Sequence, residues 1–172
     1  MTKEERLLEA WKVTVEVQMH FNELEMKVRS FAITVLAAFL AAVGFVLRED
    51  LSINLFGLSL SLSGMILLAA ILCWGSFYLM DRLWYHRLLR GAVNHGIALE
   101  IEAKSSFPEL NLGQEISLAS PVTIRGKKYG SNRKIDFFYG LIASILLAAA
   151  MIAFINDPPE KTETQTPTLS GL

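Results

Sequence analysis

The sequence predicts an all-α integral membrane protein: three transmembrane helices plus amphipathic helices at the N-terminus and after the second span. Three stretches carry no charged residue, Ser30 to Leu47, Leu51 to Met80 and Phe137 to Asn156. Each comes close to or exceeds the roughly 20 residues that a helix needs to cross a hydrocarbon core. The Lys and Arg residues lie almost entirely on one side of these runs, and two flanking segments repeat their apolar residues at helical spacing.

Composition narrows the function classes. The chain has 172 residues with 16 Lys and Arg against 17 Asp and Glu. Near-neutral charge argues against a direct nucleic-acid binder, and a single Cys excludes an intrachain disulfide framework or an all-Cys zinc site. What remains outside the apolar runs is too small for a large soluble catalytic domain. No cofactor or metal is expected.

Residues 1–30 form the first element. They contain no Gly or Pro, and Val13, Val17, Phe21, Leu24 and Val28 recur at steps of four, four, three and four. That spacing is a helical stripe. Val13, Val15, Val17, Met19 and Phe21 also alternate as in a strand. Helix is preferred because Glu4 and Glu5 suit a helix N-terminus and the segment runs into a span that must be helical. An apolar run that starts only after thirty charged and mixed residues is unlike a cleavable leader, so none is expected.

The first span is 31–47, FAITVLAAFLAAVGFVL. Residues 48–57 make a short polar connection, which returns the chain antiparallel as a helical hairpin. The second span is placed at 58–80, because the full uncharged run is too long for one upright helix. Trp74, Phe77, Tyr78, Trp84 and Tyr85 gather at its end, as in an aromatic belt. Residues 81–104 read as a helix with Leu88, Ala92, His95, Leu99 and Glu102 on one face, and its simplest partner is the N-terminal helix. Residues 105–136 contain Pro108, Gly113, Pro121, Gly126 and Gly130 and read mostly as loop, with a short helical turn around Pro108 to Leu112. The third span is 137–155. The tail, 156–172, has little to bury and is expected to be disordered.

Five Lys and Arg precede the first span, one lies in the hairpin, nine between the second and third spans, and one in the tail. By the positive-inside rule the N-terminus and the 81–136 segment face the cytoplasm, and the hairpin and C-terminus face outside. Together with the resemblance given below, that orientation implies a bacterial inner, or plasma, membrane.

Candidate sites follow from local chemistry. Arg125, Lys127, Lys128, Arg133 and Lys134 place five positive charges just before a span, suited to anionic lipid headgroups or to the phosphates of a nucleotide signal. The same charges also serve simply as an orientation signal. The stretch lacks P-loop spacing. Small residues line one face of each span: Ala37, Ala41 and Gly44; Gly57, Ser61 and Gly64; Gly140, Ser144 and Ala148. Such faces let membrane helices approach closely, within the chain or between copies. Val13, Val17, Phe21, Leu24, Leu88, Ala92, His95 and Leu99 are the expected cytoplasmic interface. Arg90 and His95 have the spacing of the RNase motif of HEPN domains, a pattern that arises readily by chance. His20, His86 and His95 read as packing histidines, since no two have helical metal-pair spacing. Asp81 reads as a helix cap and anchor.

The segment HFNELEMKVRS running into a first span, a short outside turn, a second span, and then RLWYHRLLRGAVNHGIALEIE resemble the SLATT group of bacterial two-span proteins of conflict systems. The similarity is architectural and covers Leu7 to Lys104. The third span and the basic loop depart from that pattern. The resemblance implies an effector that assembles and permeabilises the inner membrane when a sensor partner signals. The expected function is therefore a non-enzymatic, homo-oligomeric antiviral or stress effector, lodged in the lipid bilayer and answering a cytoplasmic sensor or signal-producing partner. The alternative is a membrane anchor, scaffold or accessory subunit of a larger complex.

Overall fold

The computed structural model describes residues 1–49, 52–55 and 58–156. Gly57 and tail residues 157–172 lie outside the described residues. The chain is mostly helical, and three of its helices are long and apolar enough to cross a membrane.

Helix α1 spans Lys3–Glu49, 47 residues or about 70 Å at 1.5 Å per residue. A reciprocal cap starts it: Glu5 N donates to Thr2 Oγ1 at 3.2 Å, and Thr2 N donates to Glu5 Oε2 at 2.8 Å. This Thr-x-x-Glu box satisfies two orphan amides. The helix then runs unbroken from its charged half into its apolar half, as the absence of Gly and Pro from Thr2 to Val43 allows.

The connection after α1 is more ordered than a polar loop. Strands β1 (Ser52–Leu55) and β2 (Leu58–Ser61) pair antiparallel, with Ile53 opposite Leu60 and Leu55 opposite Leu58. Residues 58–61, expected as the start of the second span, are therefore strand, because the sequence alternates with period two there. Helix α2 begins at Leu62 and ends at Leu79. Ser61 caps it, its hydroxyl accepting from Gly64 N at 3.4 Å.

A π-helical segment, Met80–Tyr85, joins α2 to α3 (His86–Ala103), so 62–103 is one continuous helical rod. The extra residue of a π-turn shifts the helix face at the point where the apolar sequence becomes charged. Helix α3 lies along the N-terminal half of α1. Helix α4 (Leu112–Ala119) and a β3–β4 hairpin (Val122–Ile124, Lys127–Tyr129) fill the segment read as loop. The reason is turn chemistry: Arg125 and Gly126 both have positive φ, 49° and 75°, the two-residue turn that matches strand twist. Helix α5 (Ser131–Ile155) starts before the third apolar run and carries Arg133 and Lys134 in its first turns.

The apolar core unites three helices: Ala32 and Val43 of α1, Leu67 and Trp74 of α2, and Ile135, Tyr139, Leu146 and Ala150 of α5. Helix α2 packs against both others. Trp74, expected in an aromatic belt, is 2% exposed and donates Nε1–H to Tyr139 O at 3.0 Å. Trp84 remains exposed. Gly64 is required by a close approach, since a Cβ there would stand 2.7 Å from the Phe154 ring.

Candidate functional site

Where the apolar bundle meets its charged end, five polar side chains from four elements join in one hydrogen-bonded chain. Arg29 is the last charged residue before the first apolar run, and Asp81 the first after the second. The antiparallel course of α1 and α2 brings them level. Arg29 donates Nε–H to Asp81 Oδ2 at 2.7 Å and Nη2–H to Asp81 Oδ1 at 3.1 Å. The same Nη2 donates to Glu25 Oε2 at 2.9 Å, one helical turn back. The other Glu25 oxygen, Oε1, takes the His86 Nδ1 at 3.0 Å, and His86 Nε2 meets the Asn132 side-chain amide at 2.8 Å.

The chain is buried: Asp81 is 0% exposed, and Glu25 and His86 are buried as well. Burying unpaired carboxylates is costly, so their partners decide whether the arrangement holds. Burial alone lowers the Arg29 pKa, but the hydrogen bond and charge of Asp81 outweigh it, with Glu25 adding to them. The net direction is upward, which keeps the guanidinium charged. The Tyr139 hydroxyl is buried beside Asp81 yet has no hydrogen-bond partner among the described residues. Asp81 also sits in the π-helical segment, so the ionic chain ends on the one irregular stretch of the 62–103 rod.

A second polar cluster ties the far end of α3 to its surroundings. Glu100, 2% exposed, accepts Gly113 N at 2.7 Å, Gln114 N at 3.3 Å and Trp11 Nε1 at 3.2 Å. A carboxylate from α3 thus serves the first turn of α4, where exposed N–H groups and the helix dipole favour negative charge. Gln18 donates to Ala92 O at 3.1 Å, and the Gln18 side chain occupies the space that Gly96 leaves open. Lys3 pairs with Glu102 at 3.1 Å.

The α1–α3 pairing uses the expected apolar stripe only in part. Val13 and Val17 are exposed, and Phe21 and Leu24 are half-buried. The face turned inward carries Thr14, Gln18, Glu25 and Arg29, one position further along. On α3, Leu88 and His95 are exposed, Ala92 and Leu99 half-buried, and Gly96 and Glu100 buried. The polar contacts are joined by half-buried apolar side chains of α1, among them Trp11, Val15 and Val28.

Among the small-residue positions, Ser61 and Gly64 are buried, Gly64 against Phe154 of α5. Ala37, Ala41 and Gly44 lie exposed on α1, as do Gly140, Ser144 and Ala148 on α5. Both faces point away from the chain's own packing.

The five basic residues before the third span divide. Lys134 donates to Ser120 O at 2.6 Å, and the Arg133 guanidinium stands 5.6 Å from the Tyr129 ring centre. Lys128 and Arg133 line a cavity of about 500 Å³ between α3, α4 and the start of α5, and Arg90 joins them there. Arg125 and Lys127 do not line it. Arg90 and His95 stand five positions apart on α3, which turns them about 140° from one another around the helix; Arg90 lines the cavity and His95 does not. Among the described residues no cluster of His, Cys, Asp and Glu is arranged to hold a metal ion.

The ionic chain is not evident in the sequence, where Asp81 reads as a helix cap and anchor and His86 as a packing histidine without a named partner. The available signal was positional: Arg29 and Asp81 each abut an uncharged run, and an antiparallel hairpin sets such residues side by side. Comparison with known proteins finds no matching family model, no matching curated protein and no matching solved structure.

Proposed function

We propose that this chain is a non-enzymatic, homo-oligomeric effector of the bacterial inner membrane that forms a pore, or disrupts the bilayer, when its cytoplasmic layer receives a signal. The N-terminus and residues 81–136 face the cytoplasm in this reading, and the C-terminus faces outside, as the Lys and Arg asymmetry favours.

The observation that carries the reading is the buried chain Asn132–His86–Glu25–Arg29–Asp81. It links the start of α5, α3 and α1 to the π-helical root of the second span, so a displacement in the polar layer cannot leave the spans unaffected. The Tyr139 hydroxyl, buried beside the same Asp81, is a further donor close to the ionic chain. The exposed small-residue faces of α1 and α5 supply the contact surface between copies.

The signal comes from a sensor or signal-producing partner. In its absence the ionic chain holds the closed packing. Expression of Asp81→Asn in bacteria should then depolarise the membrane without a trigger, while the parent chain does not. The detergent-solubilised protein should have the mass of a defined homo-oligomer of several copies. A monomer, together with an intact membrane potential in cells making Asp81→Asn, would defeat the proposal.

The second reading is an anchor or scaffold that holds a cytoplasmic protein. It is favoured by the exposed apolar residues Leu112, Ile116 and Leu118 of α4, with Val122 and Ile124 of the hairpin that follows. Purification as an obligate hetero-complex would select it.

A further inference from the structure

We infer that the cavity between α3, α4 and the head of α5 is a binding site for a soluble organic phosphate, a phosphate ester carrying an apolar or aromatic body. Its volume of about 500 Å³ falls within the range of small-molecule sites. Three elements contribute positive charge to it: Arg90 from α3, Lys128 from β4 and Arg133 from α5. Among the described residues none of the three forms a salt bridge, and no carboxylate lines the cavity. Gly130, Ser131 and Asn132 also line it, and α5 carries no side-chain cap at this end, so its N-terminal dipole adds to the same field.

The lining also includes apolar residues, Leu89, Val93 and Ile97 of α3 with Ile116 of α4. The cationic groups suit a phosphate and the aliphatic residues suit the body attached to it. A lipid headgroup offers the same phosphate chemistry, and the test below separates the two sources. From His86, near the end of the second span, to Ile97 the cavity follows α3 for about 16 Å at 1.5 Å per residue.

The cavity floor includes His86 and Asn132, the first two members of the ionic chain, so a bound phosphate touches the device described above. The inference thus names the chemistry of the signal and rests on that reading for its consequence. Its test reads binding alone, so either idea can fail without the other.

The full chain, in nanodiscs of phosphatidylcholine, is titrated calorimetrically with 1-naphthyl phosphate, with 1-naphthol and with inorganic phosphate. Saturable binding of the ester, at least tenfold tighter than either fragment, is expected. Arg90→Ala with Lys128→Ala should weaken it at least tenfold, while Arg125→Ala with Lys127→Ala, outside the cavity, should not. All four residues are exposed, and retention of the parent elution volume checks that the variants fold. Absence of saturable binding, or equal loss in both double variants, overturns the site. Displacement of the ester when phosphatidylglycerol replaces phosphatidylcholine overturns the soluble source in favour of a lipid headgroup.

Discussion

Arg29 grips Asp81 with two nitrogens on two oxygens, at 2.7 and 3.1 Å, across fifty-two residues of sequence. Bidentate geometry of this kind joins charge to orientation, and a lysine cannot reproduce it. Because Asp81 has no exposed surface, the loss of either partner strands a charge or leaves a polar group unmatched.

Arg29→Met and Asp81→Leu should each destabilise the folded chain by about 3–5 kcal/mol, and the double variant by much less than the sum. Thermal and denaturant unfolding in detergent give all three values. Strict additivity would mean that the two side chains are not coupled.

Tyr139→Phe removes a hydroxyl that is buried without a hydrogen-bond partner among the described residues. Its stability should stay within about 1 kcal/mol of the parent, since no hydrogen bond is lost. In an Arg29→Met background the same change should cost more, because there the hydroxyl becomes the donor nearest Asp81. A large loss in the parent background would show that the hydroxyl is already bonded.

Gly64→Leu should weaken the α2–α5 contact, with Phe154 as the obstacle at 2.7 Å from the new Cβ. Overpacking of this sort costs about 1–3 kcal/mol. Adding Phe154→Ala should recover part of it, an outcome read by comparing melting temperatures of the single and double variants. No recovery would place the obstacle elsewhere.

Glu100→Gln leaves the shape of the residue but removes the charge that serves Gly113 N and Gln114 N. Charge-assisted bonds contribute about 1.5–3 kcal/mol each, and neutral ones about 1. Amide hydrogen exchange in Leu112–Ala119 should rise several-fold while α2 and α5 stay protected. Uniform loosening of the whole chain would instead make Glu100 a global core residue.

Gly44→Leu and Ser144→Leu test the free faces of α1 and α5. A Cβ at Gly44 meets nothing within 4 Å, so the chain's own fold should tolerate the change. The oligomer mass in mild detergent should fall for at least one of them. An unchanged mass in both would exclude these faces from contact between copies.

Much of the architecture was legible in the sequence. Charge-free runs of membrane length mark three helices because a buried charge in an apolar bundle is too costly to be scattered there. The absence of Gly and Pro from Thr2 to Ser30 announces the charged half of α1 as unbroken helix, and the acidic pair Glu4 and Glu5 announces its start. The Arg125–Gly126 turn between VTI and KKY was also readable as a hairpin, yet the density of Gly and Pro around it suggested loop.

The tertiary structure alone decided which faces meet. Periodicity marks an apolar stripe on α1, but the face turned to residues 80–103 also carries Gln18, Glu25 and Arg29, which meet Ala92, His86 and Asp81. The role of Trp74, the recruitment of Arg90 to the same cavity as Lys128 and Arg133, and the alignment of Asp81 with Arg29 all depend on rotation and register between helices. Local composition determines that a segment is helical and how much apolar surface it offers. Angles and contacts between helices depend on pairwise geometry between residues far apart in the chain, which no local pattern encodes.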